Sequence, residues 1–298
     1  MKIIICFSGG KDSQACLIRA CHEFGAKNIE AVFCDTGWEH EITYEHVKSV
    51  VRELDVKLVT LRASFGGFHE MCCRMKWFPD TTHRMCTVQL KIYPMIDYIL
   101  KQNDDLCIIQ GIRSAESASR ARLSCSADYF AQYKEKTTRE QRLYRVQDVR
   151  EWCHHHSAVV ERPFFGASAQ DVIDYILESG QRPNPLYERG VSRVGCYPCI
   201  YARLAELKLM RKDKFYVKRV QELEYEVNNL RSVMGDNFRK SSFFQVGKIP
   251  ARFCREYGSG IPSFGDVMAY VSRDDAQLDL FDSEGTNSCM SIYHGLCE

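Results

Sequence analysis

The sequence predicts an α/β protein in which a mostly parallel, doubly wound sheet is followed by a helical C-terminal region. Three observations lead there. Short apolar runs alternate with amphipathic stretches through the first half of the chain, the order that gives parallel strands with helices on both faces. The runs end in polar, glycine-containing turns at Ser8, Asp35 and Gly111, and from Leu204 onward the pattern is mainly helical. Taken in order, an isoleucine-rich run predicts a strand over residues 3–7, and apolar residues at helical spacing predict a helix over 14–24. A strand over 29–34 and a helix over 42–54 follow, then a strand over 57–61, a helix over 90–101 and a fully apolar strand over 106–110. Residues 124–150 are polar and charged and read as an excursion over the surface. "AVVERPFFGASAQDVIDYILESG" then gives a strand, a proline turn and a helix beginning after Ser168. Residues 204–233 predict a long helix or a helical hairpin, basic early and acidic later, and the chain beyond Asp274 reads as loosely ordered. The expected division is 1–202 for the sheet domain with its cysteine-rich loop, 203–255 for the helical region and 256–298 for a loosely ordered tail.

Composition narrows the class without naming a partner. A chain of 298 residues, 45% hydrophobic, is ample for a large core, and a formal net charge of +1 lacks the basic excess of a protein that coats DNA. Fifteen cysteines in a chain this size, opening Met1-Lys2-Ile3 with no signal-like segment, favour reduced thiols and a cytoplasmic location. No apolar run approaches the roughly 20 residues that cross a bilayer, so no membrane partner is expected.

The first turn carries the strongest motif. Ser8, Gly9, Gly10, Lys11, Asp12 and Ser13 follow a buried strand and open a helix. Glycines there let backbone amides turn toward an anion, and the positive helix end adds to the same point, which makes a phosphate cradle. The spacing is not that of the Walker A loop, so a generic kinase or GTPase is excluded.

SGGKDS resembles the pyrophosphate loop of the ATP pyrophosphatase superfamily, enzymes that split ATP between its α and β phosphates. "CDTGWEHEITYEHV", "RMCTVQLKIYP", "GIRSAESASRA" and "NPLYERGVSRVGCYPC" are similar, in order, to segments of the phosphoadenosine phosphosulfate reductase family, and closest to its DNA phosphorothioation sulfurtransferases. The resemblance runs from about Met1 to Ala202 and implies a Rossmann-like, adenine nucleotide alpha hydrolase-like domain. It implies that Ser8 to Ser13 hold the terminal phosphates of ATP, delivered with Mg2+, and that Asp35, Thr36 and Gly37 lie beside the nucleoside. Lys11, Asp12, Arg113, Arg120 and Lys91 become the candidate catalytic residues. Guanidinium groups suit that place because they pair with phosphate oxygens and stabilise charge developing in a transition state.

Cysteines carry the second line of reasoning. Cys196 and Cys199 stand at CxxC spacing in "GCYPC", a pattern that by itself fits iron, zinc or a redox pair. With the resemblance, Cys86 joins them and a four-iron four-sulfur cluster is expected, with zinc as the alternative. Adenylylsulfate reductases have adjacent cysteines where this chain reads Cys86-Thr87, so a fourth ligand is missing there, unless Cys72 or Cys73 supplies it. An open iron position would suit sulfide transfer.

The reductases of the family have an eroded pyrophosphate loop and a C-terminal ECGLH motif; this chain keeps SGGKDS entire and ends "SCMSIYHGLCE". The expected function is therefore an adenylylating, ATP-dependent sulfurtransferase that modifies nucleic acid, DNA before RNA, and takes sulfur from a cysteine desulfurase or another donor. The alternatives are a thiol-dependent reductase of adenylyl sulfates and a non-catalytic nucleotide-binding subunit assembling on DNA. Cys289 and Cys297 are candidate sulfur carriers. A run of Arg203, Lys208, Arg211, Lys212, Lys214, Lys218 and Arg219 reads first as a solvated helix face and second as a track for phosphates. Gln277, Leu278, Leu280 and Phe281 resemble the peptide that docks bacterial proteins on the DNA polymerase sliding clamp. Three adjacent histidines, His154 to His156, point in different directions on a helix and read as surface.

Overall fold

Three consecutive isoleucines, Ile3, Ile4 and Ile5, are buried in β1 (Lys2–Cys6), so this strand is covered on both faces, as the central strand of a parallel sheet must be. The computed structural model describes residues 1–80, 82–134, 143–233, 239–258 and 260–273. Among them β1 pairs in parallel with β2 (Ile29–Cys34) and with β4 (Leu106–Gln110). β2 pairs with β3 (Lys57–Leu61) and β4 with β6 (Ala158–Glu161), both parallel, while β5 (Ser126–Asp128) adds antiparallel to β6. The six strands lie in the order β3-β2-β1-β4-β6-β5, with Ile5 in register between Ala31 and Ile109. That order reverses direction between β1 and β4, the switch point at which ligands bind in such sheets.

Alternation of side chains along β1 divides the core. Ile3 and Ile5 pack with Leu17 of α1 (Lys11–Phe24) and with Val47 and Val50 of α2 (Glu41–Glu53). Ile4 faces the opposite layer. There a helical segment, α4 (Met85–Thr87), continues through a π-helical turn (Val88–Ile92) into α5 (Tyr93–Ile99), whose Ile96 and Ile99 close the core with Trp152 of α7 (Val146–His155). α8 (Ala169–Glu178) lies on α1 through Ala15, Ile18, Val172 and Ile176. Its start is a capping box, Asp171 N donating to Ser168 Oγ at 3.1 Å and Ser168 N to Asp171 Oδ2 at 2.8 Å.

The third core joins the loop after β2 and the helix that follows β3 to the helices beyond residue 203. Trp38, Phe78 and Phe68 of α3 (Phe68–Met75) pack with Leu207 of α9 (Leu204–Met210), Val220 and Leu223 of α10 (Lys214–Ser232), and Phe264 and Val267 of α11 (Phe264–Val271). The 204–233 stretch is thus two helices. The chain breaks before Asp213, whose side chain caps α10 by accepting from Phe215 N at 3.0 Å.

β2, β3 and β4 begin and end where the sequence places them, whereas α1 starts at Lys11, earlier than expected, because Gly10 is its N-cap. Two expectations need correction. Residues 124–150 are no simple surface excursion: β5 forms the sheet edge, and Tyr129, Phe130 and Tyr133, the last on α6 (Ala131–Lys134), are buried. Three rings there outweigh the polar residues around them, since each aromatic side chain removes a large apolar area from water. The loosely ordered tail does not start at 256, because α11 sends Phe264, Val267 and Val271 into the third core. Gln277 to Phe281, Cys289 and Cys297 lie outside the described residues. His154 and His155 are exposed at the end of α7, in keeping with a surface run. No helix among the described residues is long and apolar enough to cross a membrane.

Candidate active site

The loop after β1 meets the loop after β4 at the switch point. Gly9 takes a left-handed φ of +84°, open to glycine and costly for other residues, and this turns the chain so that Gly10 can cap α1. Gly10 has no side chain to satisfy the first-turn amides. Lys11 N instead donates to the hydroxyl of Tyr187 at 3.1 Å. Inside the loop Ser13 Oγ donates to Gly10 O at 2.9 Å and lies 3.1 Å from Ser8 Oγ. Asn184 holds the loop from outside, its Nδ2 donating to Gly9 O at 3.2 Å. From β4, Gly111 is pressed so closely against the loop that a Cβ there would stand 2.5 Å from Ser13 N.

Charge is concentrated beside this turn. Asp12 is buried and holds two cations: Lys11 Nζ lies 3.0 Å from its Oδ2, and Arg113 Nε binds its Oδ1. Arg120, also buried, is paired with Glu116, whose Oε2 accepts from Arg113 N at 2.9 Å. Glu116 therefore ties the Arg120 side chain to the backbone of Arg113, whose guanidinium in turn reaches Asp12.

Asp35, Thr36 and Gly37 part company after β2. Asp35 Oδ1 accepts from Gly37 N at 2.8 Å and from Tyr44 at 2.7 Å, and its Oδ2 accepts from Arg62 Nε at 2.6 Å. Burial pushes this carboxyl upward, but the bonds from Tyr44, Gly37 and Arg62 outweigh it and hold it below the usual range. Asp35 and Gly37 line a cavity of about 390 Å³ with Trp38, Arg62 and Arg219. Arg219 is therefore not part of a solvated basic face. Its guanidinium stacks 3.9 Å from the centre of the Trp38 ring and donates to Gly37 O.

Thr36 turns the other way, toward the thiols. Its hydroxyl donates to Glu39 Oε1 at 2.6 Å and sits 3.5 Å from Cys196 Sγ. Glu39 and Cys196 form an antiparallel bridge, reinforced by Tyr197 N donating to Trp38 O at 2.7 Å. Cys86, Cys196 and Cys199 line one cavity with Ser8, Thr36 and Lys91. A smaller cavity shares Ser8 and Lys91 with the first and adds Ser13, Glu39 and Gly111. Lys91 lies in the π-helical turn, a local widening often found at functional positions. Burial drives the Cys196 thiol well above its ordinary value, with the positive charge of Lys91 opposing. Cys72 is buried on α3, where burial and then the neighbouring Cys86 raise its thiol. Cys73 faces elsewhere, toward Glu226.

The sequence profile of the phosphoadenosine phosphosulfate reductase domain matches residues 2–202. The chain belongs to that family. The phosphoadenosine phosphosulfate reductase domain here thus takes in the SGGKDS loop, Arg113, Arg120 and all three thiols of the cavity. Over almost its full length the chain is 28% identical to an uncharacterised 37.8 kDa protein of Escherichia phage 186, covering 99% of this chain and 96% of the phage protein. It is 29% identical over 71% of its length to an uncharacterised protein of Methanocaldococcus jannaschii, of which it spans 38%. Among solved structures it resembles the phosphoadenylyl-sulfate reductase of Candida auris in its phosphate complex, with a TM-score of 0.45 and 14% identity over 66% of this chain and 80% of that one.

Tyr187, Asn184, Glu39 and Tyr44 belong to the site and escaped the sequence reading. Tyr187 and Asn184 stand inside "NPLYERG", a segment recognisable as a motif, but nothing in its spacing shows that it folds onto a loop 175 residues away.

Proposed function

We propose that the protein is an ATP-dependent, adenylylating sulfurtransferase that acts on nucleic acid, with the DNA backbone phosphate as the acceptor. One observation supports this above the rest: Ser8 and Lys91 line both the cavity at the phosphate loop and the cavity of the three thiols, so activation and sulfur delivery would share one chamber. In this reading ATP enters with its magnesium, and the amides and hydroxyls of Ser8 to Ser13 bind its β and γ phosphates. Lys11 and Arg113, held on Asp12, offset the charge that builds as the acceptor oxygen attacks the α phosphorus and pyrophosphate leaves. Sulfide supplied by a donor protein then attacks the activated centre. The acceptor oxygen departs with AMP, and sulfur takes its place. Arg120, fixed by Glu116, keeps the loop of Arg113 in position.

Three thiols facing one cavity fit a soft metal centre, and an iron-sulfur cluster bound by Cys86, Cys196 and Cys199 would supply a site for holding sulfide. The buried Cys72 beside Cys86 is the better placed of the adjacent pair to add a fourth thiolate.

The test is anaerobic incubation with labelled ATP, with and without DNA, followed by analysis of AMP and pyrophosphate. AMP and pyrophosphate formed in step with DNA-bound sulfur are expected. The family match is equally compatible with a second reading, a thiol-dependent adenylyl sulfate reductase. ATP left intact while adenylyl sulfate is reduced would replace the first reading with the second.

A further inference from the structure

Away from the three-thiol cavity, α3 and α10 bring together an unrelated set of donors. His69 and Cys73 are four residues apart on α3 and therefore share a face, and Glu226 reaches them from α10. One ligand atom from each lies within 4.8 Å of the other two, and His69 Nε2 is 3.0 Å from Glu226 Oε2. A tetrahedral ion with bonds of about 2.1 to 2.3 Å holds its donors roughly 3.4 to 3.8 Å apart, so small side-chain rotations close the site. On the far side of the imidazole, Nδ1 faces Glu70 Oε1 at 4.0 Å, the kind of carboxylate partner that orients metal-binding histidines.

We propose that His69, Cys73 and Glu226 bind a divalent transition metal, zinc by the chemistry of the donors, with a fourth position open to solvent. Mixed nitrogen, sulfur and oxygen donors do not suit magnesium or calcium, which take oxygen, or iron-sulfur clusters, which take thiolates. Three protein ligands with one position left over is the arrangement of a reactive or ligand-binding zinc and not of a closed structural one. The side chains of His69 and Glu226 are 44% and 48% exposed, so water or an anionic ligand has access. His69 also lines the cavity of about 390 Å³ together with Asp35, Trp38, Arg62 and Arg219. An ion here would therefore stand beside that cavity, with His69 shared between the two.

The site is independent of the sulfurtransferase reading and is tested separately. Full-length protein, reduced and stripped of metal, is titrated with Co2+ and read by its thiolate-to-cobalt absorption, then challenged with Zn2+. Because Cys86, Cys196 and Cys199 can also take cobalt, the site is read as the ion lost on Cys73→Ser. That variant should bind one ion fewer per chain than the wild type, with less thiolate absorption and a smaller zinc-dependent rise in Tm. Glu226→Gln changes a half-exposed surface carboxylate and tests the site without disturbing the core; it should weaken binding of the same ion, whereas Cys196→Ala should keep it. Equal Co2+ stoichiometry and absorption in the wild type and Cys73→Ser would overturn the assignment.

Discussion

Asp12 and Arg113, 101 residues apart in the chain, are joined by a buried ion pair that ties the loop after β1 to the loop after β4. Removing the arginine leaves Asp12 buried with Lys11 as its remaining cation among the ion pairs described. Arg113→Ala should therefore cost about 3–5 kcal/mol of stability, the usual result of stripping one partner from a buried pair. AMP formation should fall on the order of 100-fold or more, and Arg113→Lys should recover most of the stability but less of the rate. Thermal unfolding and an AMP assay on the same samples separate the two effects; unchanged turnover in the alanine variant would remove Arg113 from the reaction.

Gly111 offers a steric test of the same junction. A methyl group at this position would press on Ser13 N and on the backbone of Asp12, so Gly111→Ala should displace the phosphate loop and abolish binding of a non-hydrolysable ATP analogue. Gly166→Ala, where nothing lies within 4 Å of the added carbon, is the control and should bind normally. Isothermal calorimetry reads both.

Glu224 makes the third core sensitive to pH. It accepts from Phe243 N and Phe264 N, each at 2.8 Å, and from the Tyr257 hydroxyl at 2.8 Å. Burial nevertheless pushes its carboxyl from 4.5 up to about 7, with these three bonds opposing. Because the folded value lies above the unfolded one, folding favours the protonated form. That contribution is complete below about pH 4.5 and is lost as the pH rises through 7, a change of roughly 3 kcal/mol in all. Urea unfolding at pH 5 and pH 8 should show the wild type losing most of this amount relative to Glu224→Gln. Parallel pH dependence in the two proteins would mean that Glu224 does not titrate in this range.

The thiol cavity predicts a spectroscopic result. Cys86→Ala, purified without oxygen, should lose iron and visible absorption relative to the wild type, and Cys196→Ala and Cys199→Ala should do the same. Wild-type iron content in the Cys86 variant would sink the cluster. The Co2+ band assigned to Cys73 is unaffected by either outcome.

How much of this was readable in advance depends on the range of the forces involved. β4 was legible to the residue because a strand buried on both faces has to be a continuous apolar run with polar turns at its ends, and β2 nearly so; β3, half-exposed at the sheet edge, was legible from its short β-branched run between polar turns. The phosphate loop was legible because its conformation is local: glycine at a left-handed position and a helix start within six residues. Tyr187 on Lys11 N, Arg219 on Trp38 and Tyr129 beneath the sheet were not, since each depends on where a distant segment comes to rest. His69 and Cys73 were half legible. Their spacing puts them on one face of a helix, but only the packing of α10 on α3 supplies Glu226.

The bridge between Glu39 and Cys196 makes one piece of two loops 157 residues apart in sequence. Tyr197 is tied to Trp38, and Thr36 stands between Glu39 and the Cys196 sulfur, so Cys196 is mechanically linked to the segment that carries Asp35. Thermodynamic reciprocity then applies: whatever factor a change at the sulfurs imposes on the affinity for a ligand at Asp35, that ligand imposes in return on the sulfurs. The coupling factor measured by titration at one end must therefore equal the factor measured at the other.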